Sequence, residues 1–279
     1  MDFTPHLSHF KKHGYTIFPD FVSRDWVKRI RGMLDPKFNK MFSESPEKYK
    51  ISVTPLVDQD ELGPLLKEHA LDSRILDFME LLIGPFVQLD SYRVAGFPST
   101  LEENRGSIHF WHRDNFHVGD TYAKFVKAGE SKPYTSPLAC NFITYLQDMN
   151  EETGPFYFIP GSHLDYTIIE SEGIHTRHPR QQPLSMKAGD LVVLHHDVLH
   201  TGSDNTSLHT RYFISNYVCR IGLPHRDPFD GSFIQSLLRE ARVSNNVRLM
   251  RFLGEDNNFL DREERIWKTL IDEERIALL

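Results

Sequence analysis

The spacing of apolar residues changes along the chain and predicts helices in its first part. Before about residue 85, apolar positions recur at helical spacing and predict helices over 4–13, from Ser23 onward and over 72–83. Ser23 is a residue type suited to cap the second of these helices. A β-branched and aromatic run at 15–18 predicts a first short strand between the first two helices.

Beyond residue 85, short β-branched and aromatic runs separated by turn residues predict a block of strands. The runs lie at 86–97, 107–112, 138–147, 155–159, 190–195 and 211–221. Many short strands in succession are typical of an all-β barrel or sandwich, not of alternating βαβ units. A helical pattern returns after about residue 231 and ends in an amphipathic stretch at 261–279.

Together these patterns predict one domain over residues 1–279, mainly β with flanking helices. The fold we expect is a double-stranded β-helix, the jelly-roll or cupin-like architecture. Its helical N-terminal part would cover about 1–85, the β core about 86–221 and the helical C-terminal part about 231–279. A chain of 279 residues that is 39% hydrophobic can bury one large core, and no repeat or linker divides it.

The composition limits the classes of partner. A net charge of −7 argues against a nucleic-acid-binding protein, which would usually be basic. No apolar stretch approaches the length of a membrane span, and the N-terminus lacks the features of a signal peptide. Cys140 and Cys219 lie in apolar runs and are expected to be buried thiols. We therefore expect a reduced, cytoplasmic protein with a small-molecule partner, whose oligomeric state the sequence does not indicate.

The first chemical signal is His112-Arg113-Asp114, because residues two apart on a strand point to one face. An imidazole and a carboxylate that project together need one more imidazole to form the 2-His-1-carboxylate triad, which leaves three positions open on Fe(II). His200, at the end of the predicted strand 190–195 and its following turn, is the candidate for that third ligand. The His-x-Asp pair alone is weak evidence in a chain with 15 histidines.

A candidate anion-binding residue follows His200. Arg211 begins the next predicted strand after a turn rich in Asn and Ser, so a hairpin can bring its guanidinium close to the metal site. A guanidinium can bind a carboxylate with two hydrogen bonds, as the distal carboxylate of 2-oxoglutarate requires. The alternative is that Arg211 forms an ordinary surface ion pair.

The ordered set of motifs resembles the phytanoyl-CoA dioxygenase family over roughly residues 12–221. The motifs are His112-Arg113-Asp114, Gly154-Pro155 through Pro160-Gly161-Ser162-His163, Gly189-Asp190, and His200 with Asn205, Ser207 and Arg211. The resemblance implies the double-stranded β-helix fold and the use of Fe(II), 2-oxoglutarate and O2. It also implies that His112, Asp114 and His200 bind the iron and that Arg211 binds 2-oxoglutarate.

The sequence departs from this family's pattern at one position. Family members often have Ser or Thr two residues after the distal histidine, where it helps to hold the cosubstrate. Here that position is Gly202, and Ser203, the next residue, is expected to take over its role. Asp114 is present, whereas halogenating relatives carry a small residue there, so a hydroxylation or a related oxidation is favoured.

Several other residues are weaker candidates. Asn141 and Thr144 lie on the predicted strand 138–147 and could bind the cosubstrate, although either could equally face away from the barrel. The candidates for contacting the substrate are His117, His196 and Trp111, of which Trp111 could instead pack in the core.

The sequence therefore predicts a 2-oxoglutarate-dependent dioxygenase, an iron enzyme that hydroxylates or otherwise oxidises an unactivated C–H of a small molecule. A secondary metabolite is the expected substrate, and succinate and CO2 are the expected by-products. Two alternatives remain. The chain could be a non-catalytic ligand-binding protein on the same barrel, or a cupin-like metalloenzyme that does not use 2-oxoglutarate.

Overall fold

A six-stranded antiparallel sheet forms the larger layer of the protein. The structure, a computed structural model, describes residues 2–53, 61–114, 137–165, 169, 171–221 and 232–255. The strands of this sheet are β1 (Tyr15–Phe18), β2 (Ile51–Val53), β3 (Val87–Phe97), β4 (Ala139–Tyr145), β7 (Leu191–His195) and β9 (Arg211–Arg220). They are ordered β1-β7-β4-β9-β3-β2. Apart from β2 and β3, strands adjacent in this sheet are thus not consecutive in the chain, as in a jelly roll.

A smaller, three-stranded sheet forms the second layer. Its strands are β5 (Phe156–Phe158), β6 (Gln182–Leu184) and β8 (His200–Thr201), in the order β6-β5-β8. The strand predicted at 107–112 is reduced to two isolated bridges, Ile108 to Ser203 and His112 to His200. The two bridges are four residues apart on this segment and three apart on its partner, so the register shifts by one residue between them. Two sheets stacked in this way confirm the predicted double-stranded β-helix.

Helices cover the outer face of the larger sheet. They are α1 (Thr4–His13), α2 (Arg24–Glu44), α3 (Leu62–Ala70), α4 (Ser73–Ile83), α5 (Ser232–Val243) and α6 (Val247–Phe252). The predicted N-cap of α2 is confirmed, since the Ser23 hydroxyl accepts from the Trp26 amide at 3.1 Å. The pattern of apolar residues did not predict α3, β2 or β6, which are all short. The helix predicted at 261–279 lies outside the described residues.

Alternation along β9 separates the core from the interior of the barrel. Tyr212, Ile214 and Val218 are fully buried in the main core, on the face that the helices cover. Arg211 and Phe213, whose positions alternate with these, line a cavity between the two sheets. Because successive side chains of a strand point to opposite faces, one strand supplies both the core and the site.

The described helices do not include a candidate membrane span. Within these ranges, none combines the length and the apolar composition that crossing a bilayer requires. The elements described above are compatible with one domain over residues 1–279. The single domain stays a prediction.

Candidate metal centre

A cavity of about 400 Å³ opens between the two sheets. Its wall on the larger sheet comes from the inward-facing side chains of β3, β4 and β9. Its other wall comes from β5, β8 and residues 109–114. His112, Asp114 and His200 all line it, as does Arg211. The cavity thus brings together the four residues to which the sequence analysis gave the leading roles.

Backbone hydrogen bonds hold the two segments that carry the candidate metal ligands side by side. The amides of His112 and His200 each donate to the other's carbonyl at 3.0 Å, and the Asp114 amide donates to the carbonyl of His196 at 2.9 Å. As a result, potential ligand atoms of His112, Asp114 and His200 lie within 4.8 Å of one another. His200 Nε2 is 3.7 Å from Asp114 Oδ1, and the two imidazole rings are 4.2 Å apart between centroids.

Both imidazoles are oriented for binding a metal through Nε2. His112 Nδ1 lies 3.1 Å from the carbonyl of Phe110, and His200 Nδ1 lies 2.9 Å from the carbonyl of Val198. A carbonyl oxygen can only accept, so each Nδ1 carries a proton, and Nε2 is the ring atom that can bind a metal. Burial, followed by the neighbouring His200, lowers the pKa of His112 to about 4, so its imidazole is neutral at physiological pH. Two imidazoles, each with Nδ1 bonded to a backbone carbonyl, and one carboxylate fit a mononuclear Fe(II) site.

Arg211 is fixed at one end of the same cavity. Its Nη1 lies within hydrogen-bond distance of the carbonyls of Thr153, Gly154 and Ser203, at 2.9, 2.6 and 2.8 Å. These are all the hydrogen bonds that the guanidinium makes within the described residues, so Nε and Nη2 keep their donors for a ligand. Burial lowers the pKa of Arg211 to about 10, and the group remains a cation at neutral pH.

A second cation, Lys50, lies near Arg211. Arg211 Cζ is 4.3 Å from the centroid of the Phe97 ring, and Lys50 Nζ is 5.5 Å from the same centroid. We call Arg211, Lys50 and Phe97 the distal pocket. Lys50 was not predicted as a site residue, because it lies in a polar segment before β2 that has no periodic pattern.

The remaining cosubstrate candidates differ in where they lie. Asn141 lines the cavity, and its Oδ1 accepts from the Ser215 hydroxyl at 2.7 Å. Thr144 points to the opposite face of β4, where its hydroxyl lies 2.9 Å from His69 Nε2. The Ser203 hydroxyl is buried and donates to the carbonyl of Pro155 at 2.6 Å. Asn141 is thus in the cavity, and the Thr144 and Ser203 hydroxyls are directed away from it.

The substrate candidates do not line the cavity where the structure describes them. Trp111 is fully buried, and its indole Nε1 donates to the carbonyl of Thr176 at 2.9 Å. His196 is also fully buried, and its Nδ1 lies 2.9 Å from the carbonyl of Ala139. Both side chains therefore support the fold next to the site instead of facing a substrate. His117 lies outside the described residues.

A second group of potential metal ligands, His195, His196 and Asp197, lies behind the first. The imidazoles of His195 and His196 are stacked at 4.6 Å with an interplanar angle of 17°. Lone pairs lie in the ring planes, so two stacked rings do not direct them at one ion. Burial, followed by the neighbouring His196, His163 and Arg113, lowers the pKa of His195 to about 2. A cation beside Arg113 is electrostatically unfavourable, and this group is a poor metal site.

Comparisons with known proteins agree with this architecture. The model of the family described as phytanoyl-CoA dioxygenase (PhyH) matches residues 10–213. Phytanoyl-CoA dioxygenase 1 of Oryza sativa subsp. japonica is 35% identical over 97 residues, 30% of this chain and 34% of the relative. Dioxygenase easH of Epichloe festucae var. lolii is 35% identical over 100 residues, 35% of this chain and 46% of the relative. The matched segments thus span between a third and a half of these curated relatives.

Solved structures with low sequence identity share the fold. HygX from Streptomyces hygroscopicus, with nickel, 2-oxoglutarate and hygromycin B bound, has a TM-score of 0.58 at 15% identity, covering 79% of this chain and 88% of HygX. The epimerase SnoN, in complex with Fe3+, alpha ketoglutarate and nogalamycin RO, has a TM-score of 0.53 at 19% identity, covering 79% and 84% of the two chains.

The jelly-roll fold with two imidazoles and a carboxylate in its cavity is the architecture of the non-haem iron, 2-oxoglutarate-dependent oxygenases. Because the family model covers about three quarters of its length, the chain belongs to the phytanoyl-CoA dioxygenase family. The cofactors of this family are Fe(II), 2-oxoglutarate and O2.

Proposed function

We propose that this protein is an Fe(II)- and 2-oxoglutarate-dependent dioxygenase that oxidises an unactivated C–H of a small molecule. The observation that carries the proposal is the convergence of His112, Asp114 and His200 in a cavity that also holds Arg211. A metal triad alone would suit many metalloenzymes. The buried guanidinium, whose Nε and Nη2 bond no group within the described residues, adds a site for the distal carboxylate of 2-oxoglutarate.

The metal would be held by His112 and His200 through Nε2 and by Asp114 through a carboxylate oxygen. The carbonyls of Phe110 and Val198 keep the two Nδ1 protons in position, which fixes the orientation of both rings before a metal binds. When bound there, Fe(II) supplies the activation of O2 that couples conversion of 2-oxoglutarate to succinate and CO2 with oxidation of the substrate.

The cosubstrate would lie between the triad and the distal pocket. Arg211 binds its distal carboxylate through Nε and Nη2, and Lys50 adds a second positive charge across the Phe97 ring. Asn141, on the inner face of β4, is available to bond the near carboxylate. Burial of Arg211 strengthens its attraction for an anion, because little water remains to screen the charges.

A small secondary metabolite is the substrate class we favour. HygX was solved with hygromycin B, and SnoN with nogalamycin RO, which supports a similar class on the same fold. The cavity also offers both aromatic and hydroxyl-bearing side chains, among them Phe110, Phe156, Ser91 and Ser215. Hydroxylation is the outcome that Asp114 favours, and the epimerase SnoN indicates that epimerisation is another outcome of this fold.

An anaerobic titration tests this proposal without knowledge of the substrate. Fe(II) and then 2-oxoglutarate are added to the apoprotein while the visible metal-to-ligand charge-transfer band of the chelate is recorded. We expect the band in the wild type, no band in His112→Ala, a weakened band in Arg211→Ala, and a normal band in the control His209→Ala, whose side chain is exposed outside the cavity.

Each alternative function gives a different result. A cupin-like enzyme without 2-oxoglutarate would bind the metal but show no band. A non-catalytic binding protein would form the chelate, yet release no succinate when O2 is admitted in the presence of any candidate substrate. Absence of the band in metal-loaded wild type would end the proposal.

A further inference from the structure

The space beside Gly202 is filled by the side chain of His109. A Cβ atom built on Gly202 would lie 3.0 Å from His109 Nδ1, which is tighter than ordinary contact. The backbone of Gly202 does not have the positive φ that other glycines of the chain show, so its conformation does not require glycine. Glycine at this position therefore makes room for an imidazole.

The position of His109 is fixed by three different contacts. Its amide donates to the carbonyl of Gly202 at 2.9 Å, which holds the two residues against each other. Its Nε2 lies 3.2 Å from Asp204 Oδ1, so Nε2 donates its proton to that carboxylate. Its ring stacks on Phe97 at 5.8 Å with an interplanar angle of 15°.

These contacts bring His109 to the distal pocket. Phe97 is the ring over which Arg211 and Lys50 also lie, and both His109 and Gly202 line the cavity. The Arg211 charge lowers the pKa of His109, second only to burial, which is a further sign of their proximity. With Nε2 bonded to Asp204, Nδ1 is the ring atom directed at the space beside Gly202.

We propose that His109 is a cosubstrate-binding residue, whose Nδ1 donates to the distal carboxylate of 2-oxoglutarate from the position that a hydroxyl side chain at residue 202 would occupy. Asp204 acts as a positioning residue, because it fixes the ring and favours the imidazolium. The inference rests on the proposed function. It also accounts for Ser203, whose hydroxyl is committed to Pro155 and is not the replacement.

A dependence of cosubstrate binding on pH follows from this geometry. Since Nε2–H is bonded to Asp204, Nδ1 can donate only when the ring is protonated. The charged groups that face the ring are Arg211 and Lys50, which oppose protonation, and Asp204, which favours it. The Tyr49 ring also faces it edge-on, at 5.6 Å between centroids. A bound carboxylate raises the pKa of His109, so binding takes up a proton. Between the pKa of His109 in the free protein and its raised pKa in the complex, the Kd for 2-oxoglutarate should rise by up to about tenfold per pH unit, and above the latter it should level off.

The test is a set of three variants, His109→Ala, Gly202→Ser and the double variant. The Kd for 2-oxoglutarate is measured from the charge-transfer band of the Fe(II)-loaded protein at several pH values. We expect His109→Ala to raise the Kd about tenfold and to remove its dependence on pH. Adding Gly202→Ser to that variant should restore much of the affinity without restoring the pH dependence. Gly202→Ser alone should not tighten binding, because the new Cβ crowds the imidazole.

A matched ligand separates this subsite from the metal site. 2-Oxopentanoate has the same number of carbons as 2-oxoglutarate but lacks the distal carboxylate, so its Kd should be equal in the wild type and in His109→Ala. An unchanged 2-oxoglutarate Kd in His109→Ala, or equal effects of Gly202→Ser with and without His109, would overturn the inference while leaving the proposed function intact. A wild type without the band would instead refute the proposed function.

Discussion

At the scale of single residues, small side chains decide where the charged groups of the site can lie. Gly154 has a φ of +78°, and a Cβ atom there would collide with the Asp204 carbonyl and with Arg211 Nη1. The guanidinium reaches the cavity because this position carries no side chain. The Gly154 carbonyl also accepts a hydrogen bond from Nη1 at 2.6 Å. Gly154 therefore leaves room for the guanidinium of Arg211 and also accepts a hydrogen bond from it.

Gly154→Ala should weaken 2-oxoglutarate binding at least tenfold, because the methyl group displaces Arg211 and strains the left-handed backbone. Fe(II) affinity should be retained, since Gly154 does not touch the triad. Both constants can be measured by titration, with 2-oxoglutarate followed by the charge-transfer band. Gly32→Ala is the control, because no atom lies within 4 Å of a Cβ at this exposed helical position. Equal 2-oxoglutarate affinity in both variants would contradict this role of Gly154.

At the scale of elements, a buried chain of hydrogen bonds joins α3 to the outer face of the large sheet. The Tyr92 hydroxyl donates to the Leu66 carbonyl at 2.9 Å, so it accepts from His69 Nδ1 at 3.1 Å. His69 Nε2 then accepts from the Thr144 hydroxyl at 2.9 Å. The chain is satisfied with a neutral His69, and burial lowers the pKa of this imidazole from 6.5 to about 4.

This pKa predicts a loss of stability in acid. The folded state disfavours the charged imidazole. The contribution of His69 to the free energy of unfolding is therefore complete above pH 6.5 and declines as the pH falls towards 4. Between pH 7 and pH 4.5, protonation of His69 should lower the free energy of unfolding by about 2–3 kcal/mol. In His69→Gln, the decrease in the free energy of unfolding between pH 7 and pH 4.5 should be smaller than in the wild type by the contribution of His69. Urea denaturation at both pH values measures the two decreases. Parallel pH profiles for the two proteins would argue against a neutral, buried His69.

Strand alternation explains which site residues the sequence could predict. His112 and Asp114 are two residues apart, so alternation along a strand predicts that they face the same side. His200 follows the predicted strand 190–195 and its turn, which made it the candidate for the third ligand. Asn141 and Thr144 are three apart on β4, so only one of them can face the cavity, and the sequence did not say which. Lys50 contributes from a segment without periodicity. His109 lies three residues before His112 in the predicted strand 107–112, so strict alternation would place the two side chains on opposite faces. The proximity of Lys50 and His109 to Arg211 depends on how distant segments pack, which no local pattern records.

At the scale of the whole molecule, the core extends beyond the part of the chain that the family model covers. Phe233, Leu237, Ala241 and Phe252 belong to the same buried cluster as the N-terminal helices, although the family match ends at residue 213. Arg248 of α6 bonds Glu80 of α4 at 2.7 Å. The elements after residue 231 therefore pack as part of the structure that carries the site.

Phe233→Ala should lower the free energy of unfolding by about 3–5 kcal/mol, because a fully buried ring that stacks on Tyr92 is removed. If the chain forms one domain, the loss should shift a single unfolding transition, recorded both by circular dichroism and by fluorescence. Val243→Ala, at a position that is 90% exposed on the same helix, should change the stability by less than about 0.5 kcal/mol. Two separate transitions would indicate that the C-terminal helices fold apart from the barrel.

The distal pocket has a consequence for the end of each catalytic cycle under the proposed function. Its charged groups bind the distal carboxylate of 2-oxoglutarate, which takes no part in the chemistry. This carboxylate is still present in succinate. After the reaction, succinate therefore keeps the contact between its distal carboxylate and the charged groups of the distal pocket. Departure of succinate, instead of the oxidation itself, is then a step that can limit turnover, and added succinate should compete with 2-oxoglutarate for the same protein.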